Sequence, residues 1–229
     1  MNHNPVIIAL DFDNAAQART LVNQLGDSID FYKIGMELYA AEGMPFVREV
    51  VDRGNKLFLD LKLYDIGETV KRAVKVVSKS GVRFLTVHGS DSILKAAVEG
   101  RGASDLKLLA VTVLTSFTQK DLSDLGYETT VPDLVALRTR VAMAAGVEGI
   151  VCSALEAARV RSMAGPKMVL VNPGVRSKGA LVGDQKRIAT PSEALAAGAD
   201  YVVIGRQVTR SSDPKREVEK IYDEIAVVR

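Results

Sequence analysis

The stretch Lys56-Leu57-Phe58-Leu59-Asp60-Leu61-Lys62 (KLFLDLK) decides how this chain is read. Side chains alternate between the two faces of a strand, so Leu57, Leu59 and Leu61 fall on one face. Phe58, Asp60 and Lys62 fall on the other. The leucine face needs an apolar cover, which a layer of helices supplies. The opposite face then carries a carboxylate and an ammonium inward at the C-terminal end of the strand. Buried charges are costly unless they are paired and used. Three other runs repeat the pattern. In VIIALD (Val6–Asp11), Ile8 and Leu10 face out while Asp11 ends the inward row. In FYKI (Phe31–Ile34), Tyr32 and Ile34 face out and Lys33 points in. In FLTVH (Phe84–His88), Leu85 and Val87 face out, with Thr86 and His88 inward. Neighbouring strands thus deliver Asp11, Lys33, Asp60 and Lys62 to one end, and Asp65 follows in the run Asp60-x-Lys62-x-x-Asp65. His88 reads as a satisfied core histidine and stays outside the catalytic set.

Short apolar runs of this kind alternate with amphipathic stretches along the whole chain. Besides the four above, strands are expected at Leu106–Leu114, Gly149–Cys152, Met168–Val171 and Tyr201–Ile204. Helical spacing covers Ala15–Leu25, Glu68–Ser80, Leu134–Ala145 and Pro191–Ala197, each followed by a glycine stop. Eight strand-then-helix repeats predict an α/β fold of the (β/α)8 TIM-barrel type, one domain over residues 1–229. A doubly wound open sheet competes, but the first strand is followed by DFDNAAQA, which lacks the glycine fingerprint of dinucleotide sheets. Two connections, Thr115–Pro132 and Asn172–Thr190, are long enough to read as functional loops at the C-terminal rim of the strands.

Composition narrows the function classes. The chain has 229 residues, 30 Lys+Arg against 28 Asp+Glu, and a formal net charge of +2, which argues against bulk nucleic-acid binding. Cys152 is the only cysteine, and the two histidines are His3 and His88, so a disulfide, a cysteine zinc cluster and a histidine-rich metal site are not expected. No run is long and apolar enough for a membrane span, and the first residues do not read as a signal peptide. A soluble, cytoplasmic protein is expected.

A structural ion-pair network is one reading of the charged rim. Alternating charges on three adjacent strands at the catalytic end favour a functional one. Neighbouring carboxylates favour the ammonium form of a lysine, which makes Lys62 a proton donor rather than a base or Schiff-base nucleophile. A second signal lies at Gly205-Arg206, just after the last strand. Gly205 permits close backbone approach and Arg206 offers a forked donor, as a phosphate site after the last two strands requires. Arg176 and Gln185, in PGVRSKGALVGDQKR, lie on the preceding loop.

At these residues the sequence resembles the orotidine 5′-monophosphate decarboxylase family over nearly its whole length. The resemblance rests on ALDF (9–12), FYKIGMEL (31–38), FLDLKLYDIGETV (58–70), TVHGSDS (86–92) and AVTVLTS (110–116). It continues through NPGVR (172–176), GDQKR (183–187) and DYVVIGRQVT (200–209). It implies decarboxylation of orotidine 5′-monophosphate to UMP in de novo pyrimidine biosynthesis, without metal or cofactor. By the same resemblance Lys62 protonates C6 and Asp60 faces the substrate carboxylate. Lys33 and Asp65 complete the network, and Asp11 binds the ribose. Asp65, Ile66 and Thr69 reach the neighbouring subunit's site across a homodimer. Thr115 and Ser116 contact the pyrimidine, and Arg176, Gln185, Gly205 and Arg206 the phosphate. The family's usual wording has proline where this chain has Gly67. Two alternatives stay open from the residues: a metal-dependent phosphosugar decarboxylase or aldolase of the same superfamily, and a non-catalytic barrel that binds nucleoside monophosphates.

Overall fold

A computed structural model describes residues 4–178 and 189–226. Eight parallel strands close into a barrel in sequence order. They are β1 (Val6–Ala9), β2 (Phe31–Gly35), β3 (Lys56–Leu63), β4 (Phe84–Val87), β5 (Lys107–Val111), β6 (Gly149–Val151), β7 (Val169–Asn172) and β8 (Tyr201–Ile204). Closure comes from β1 pairing with β8, Val6 beside Val202 and Ile8 beside Ile204. The expected barrel and its eight strands are present. The first and fifth strands are shorter than Val6–Asp11 and Leu106–Leu114, because the chain leaves the sheet at the rim. Leu10 N–H still donates to Lys33 O at 2.8 Å, and Thr112 N–H to Val151 O at 3.1 Å.

The helices follow from local signals. In α1 (Ala15–Leu25) the Asn14 side chain accepts from Gln17 N–H, and Gly26, at φ +49°, ends the helix. α2 spans Met36–Asp52 and α3 spans Gly67–Val77. The latter stops short of the expected Ser80, since Ser80 Oγ turns back to donate to Val77 O at 2.6 Å. α4 is Asp91–Arg101. The long connection after β5 carries a short helix, α5 (Gln119–Asp124), which hydropathy periodicity did not reveal. Its capping box, Thr118 with Asp121, accounts for it. α6 (Val131–Ala145) begins three residues before the expected Leu134, because Thr130 caps it and a proline occupies its first turn. α7 (Ala157–Ala164), α8 (Pro191–Ala196), α9 (Arg206–Thr209) and α10 (Pro214–Ala226) complete the outer layer.

Two apolar layers result. Ile7, Ala9, Phe31, Phe58, Phe84, Leu109, Val111, Val151, Val171 and Val203 fill the barrel interior. Phe31, Phe84 and Tyr201 meet there edge-on or tilted at ring separations of 5.2–5.4 Å. Ile8, Leu10, Tyr32, Ile34, Leu57, Leu59, Leu85 and Val87 lie in the larger layer between sheet and helices. Below the rim, the inward and outward rows are those expected from the alternation. With the lower interior packed by aromatics, the charged residues further along β1 to β3 sit on top of that plug, at the C-terminal rim.

Candidate active site

Asp11, Lys33, Asp60 and Lys62 form one line of alternating charge across the ends of β1, β2 and β3. Lys33 Nζ lies 3.0 Å from Asp11 Oδ1 and 3.8 Å from Asp60 Oδ2. Lys62 Nζ lies 2.9 Å from Asp60 Oδ1. Strand register produces the first links, since Gly35 lies beside Asp60 and Lys33 beside Ala9. Lys33 and Asp60 are the covered members, with side chains 10% and 16% exposed, while Asp11 at 55% opens to solvent. Each inner charge touches an opposite one, which offsets the desolvation of the pair. Gly35 keeps the line close. A Cβ there would come within 3.1 Å of Lys33 Nζ and 3.4 Å of Asp11 Oδ1.

Lys62 does not reach the interior by simple alternation. The β3–β4 register shifts between Leu59 and Leu63, and Lys62 has φ +49°, the one non-glycine with positive φ among the described residues. An L side chain in this region costs of order 1–2 kcal/mol unless its surroundings enforce it. Thr86 enforces it: its Oγ1 accepts from Lys62 N–H at 2.9 Å and donates to Asp60 Oδ1 at 2.9 Å. One buried hydroxyl therefore fixes both the turn in the lysine backbone and the carboxylate facing its ammonium. Thr86 carried no role in the sequence reading, although its place in the inward row was visible.

Asp65 is not joined to this line within the chain. It is exposed, and its Oδ1 accepts from Ile66 N–H at 2.6 Å. Within one chain, Asp60 is therefore the carboxylate that pairs with Lys62. Tyr64 and Ile66 stand out beside Asp65 at 69% and 77% exposure, and Thr69 is exposed on the first turn of α3. Gly67 begins that helix, and a Cβ on it would meet Ala96 Cβ at 3.3 Å, so the absence of a side chain suits the close α3–α4 packing.

His88 is half-buried just past β4 and partnered, as expected of it, but its partner is the rim residue Arg138, whose Nη1 lies 3.3 Å from His88 Nε2. Its pKa is lowered from the ordinary 6.5, first by burial and then by the nearby Arg138 and Lys62 cations. Thr115 and Ser116 lie half-buried between β5 and α5.

At the neighbouring corner of the rim, Gly205 follows β8 and Arg206 begins α9 as an exposed side chain. The Cβ position of Gly205 is 3.8 Å from Asp11 Oδ2, so this corner adjoins the charged line. Half-buried Arg176 is held through its backbone, its N–H donating to Ala189 O at 3.1 Å. Ser177 N–H donates to Gln207 Oε1 at 2.9 Å, which ties the β7 loop to α9. Gln185, with the whole 183–187 segment expected on the phosphate side, lies outside the described residues.

A closed (β/α)8 barrel with a paired lysine–carboxylate row at the C-terminal rim of its strands has the architecture of a barrel enzyme. The comparisons are more specific: the profile of the Orotidine 5′-phosphate decarboxylase / HUMPS family matches residues 4–221, and the chain belongs to that family. It is 53% identical to the orotidine 5′-phosphate decarboxylase of Rhodopseudomonas palustris strain CGA009, over 98% of this chain and 94% of that one. It is 48% identical to that of Caulobacter sp. strain K31, over 96% of each. The crystal structure of orotidine 5′-phosphate decarboxylase from Lactobacillus acidophilus superposes with a TM-score of 0.85 at 36% identity, covering 96% of this chain and 98% of that chain.

Proposed function

We propose that the protein decarboxylates orotidine 5′-monophosphate to UMP, with fixed charges in place of a metal or an organic cofactor. The observation that carries this reading is the Asp11–Lys33–Asp60–Lys62 line, which ends on a lysine held in a strained backbone conformation. Loss of CO2 from C6 leaves an electron pair in an sp2 orbital that no ring carbonyl can delocalise. An ammonium fixed beside that carbon stabilises the developing carbanion and then supplies its proton. Lys62 takes this role. Asp60 sits against the departing carboxylate, and its repulsion is relieved as CO2 leaves. Lys33 holds Asp60 and Asp11 in place, and Asp11 receives the ribose hydroxyls.

Thr115 and Ser116 contact the pyrimidine. Arg176, Gln185, Gly205 and Arg206 take the phosphate, whose binding energy closes the loops over the site. The exposed Tyr64–Ile66 edge is covered by a second copy of the chain, which brings Asp65, Ile66 and Thr69 to the neighbouring site in a homodimer. No described helix is long and apolar enough to cross a membrane. The reading places the enzyme in the cytoplasm, acting on a small molecule, without nucleic-acid or membrane partners. The test follows the loss of orotidine 5′-monophosphate absorbance with EDTA present and no metal added. Turnover under those conditions is the expected result. Activity that needs a divalent ion, or binding without CO2 release, would overturn it.

A further inference from the structure

We infer that Arg138 is a positioning residue for this reaction, which clasps the loop bearing Thr115 and Ser116 onto the end of the barrel beside Lys62. The inference rests on the decarboxylase reading above. Arg138 projects from the middle of α6, yet its guanidinium meets three separate parts of the rim. Nη1 donates to Thr112 O, at the point where the chain leaves β5, and faces His88 Nε2 at 3.3 Å just past β4. Nη2 donates to Tyr127 Oη at 2.9 Å, and the guanidinium carbon lies 5.5 Å from the centre of the same ring.

These partners bracket the loop. Thr112 is its root and Tyr127 its far end, with Thr115, Ser116 and α5 between them. A guanidinium donates in several directions and accepts from none, so His88 Nε2 is the acceptor and the imidazole is neutral. The lowered His88 pKa agrees with this. His88 extends the clasp to the catalytic strand. Its N–H donates to Leu63 O at 3.0 Å, one residue beyond Lys62, and its ring meets Tyr64 edge-on at 5.7 Å. Arg138 therefore fixes the loop and the Lys62–Asp65 segment against one another without itself reaching the charged line. A purely structural tie would need one or two of these bonds within the helix layer. This one gathers the ends of β4 and β5 with the far end of a long loop.

The test compares Arg138→Met, Arg138→Lys, Tyr127→Phe and the Arg138→Met/Tyr127→Phe double variant with the wild type. Steady-state kinetics on orotidine 5′-monophosphate and on phosphate-free orotidine are measured beside thermal midpoints. A misplacement of about 1 Å costs about 100-fold in rate, so Arg138→Met is expected to lower kcat/KM at least about tenfold. The loss should appear with both substrates, because Thr115 and Ser116 contact the base that both carry. Tyr127→Phe should act in the same direction by less, and the double variant should be no worse than Arg138→Met, since both break one clasp. Arg138→Lys should recover only part, because one ammonium cannot serve acceptors in three directions. Unchanged kcat/KM with only a lowered midpoint, multiplicative effects in the double variant, or a loss confined to the phosphorylated substrate would overturn the inference. Should Arg138→Met fail to fold, Tyr127→Phe and Arg138→Lys decide it. A wild type that does not consume orotidine 5′-monophosphate would instead overturn the decarboxylase reading.

Discussion

Replacing Lys62 separates the chemistry of the site from its stability. In Lys62→Ala, Asp60 loses an ammonium at 2.9 Å but keeps the Thr86 hydroxyl at 2.9 Å and Lys33 Nζ at 3.8 Å. The buried carboxylate is therefore not orphaned, and the fold should survive with a stability loss of no more than about 2 kcal/mol. Catalysis should not survive. A general acid contributes about 10²–10⁴-fold, and a preorganised charge at the developing anion about 10²–10³-fold. Acting together, the two correspond to a fall in kcat of at least about 10⁴-fold. A companion variant, Lys62→Gly, tests the backbone. At φ +49° glycine avoids the strain that alanine retains. It should be the more stable of the two by about 1 kcal/mol, or roughly 2–4 °C in Tm for a domain of this size. The assay is loss of orotidine 5′-monophosphate absorbance, with calorimetry for Tm. A Lys62→Ala enzyme that keeps more than about a tenth of wild-type kcat would refute the proton-donor role. A glycine variant no more stable than the alanine one would refute the strain argument.

Mixing inactive Lys62→Ala with inactive Asp65→Ala should restore activity after subunit exchange, because a heterodimer assembles one site with both residues intact; no recovery after verified exchange would confine Asp65 to its own chain. Arg206→Ala should lower kcat/KM for the nucleotide by at least about 10²-fold and leave orotidine turnover nearly unchanged, and phosphite should activate wild-type turnover of orotidine. A pure KM effect without phosphite activation would reduce the phosphate corner to a handle. His88 gives stability a pH dependence. Its folded-state pKa lies below the ordinary 6.5, so the unfolded chain takes up the proton first on acidification. Its contribution is complete above that value and is lost as pH falls through and below it. Denaturant titrations of wild type and His88→Gln at pH 7.5 and 5.5 should show a smaller acid loss in the variant, and equal losses would remove the claim.

The barrel and the inward charges were legible because alternation works on both sides of a strand at once. Ile8, Tyr32, Leu57 and Leu85 had to face the helices, and that alone sent Lys33 and Asp60 inward. Alternation also named Lys62, but the actual route is a register shift with positive φ, and nothing in KLFLDLK signals a departure from regular strand. Thr86 was visible as an inward residue and invisible as the clamp, since its task depends on that same shift. Arg138 was not legible at all. In LRTRV it reads as one more charge on a helix, and only the fold brings its tip to Thr112, Tyr127 and His88. Asp65 was legible as a motif position, but its exposure and its bond to Ile66 N–H were not.

The seam where β1 meets β8 joins the first strand of the chain to the last. Until β8 is in place, β1 presents an open edge, and the aromatic plug lacks the Tyr201 ring that meets Phe31 and Phe84. The four aligned charges all lie on or just past the first three strands, so a growing chain carries the complete set long before it has a wall to hold them. Contacts this distant along the chain form late and slowly. The chain leaving that same late strand brings Gly205 close to Asp11, and Arg206 follows as the first residue of α9. Closing the β1–β8 seam therefore also brings the Gly205 corner to the charged line.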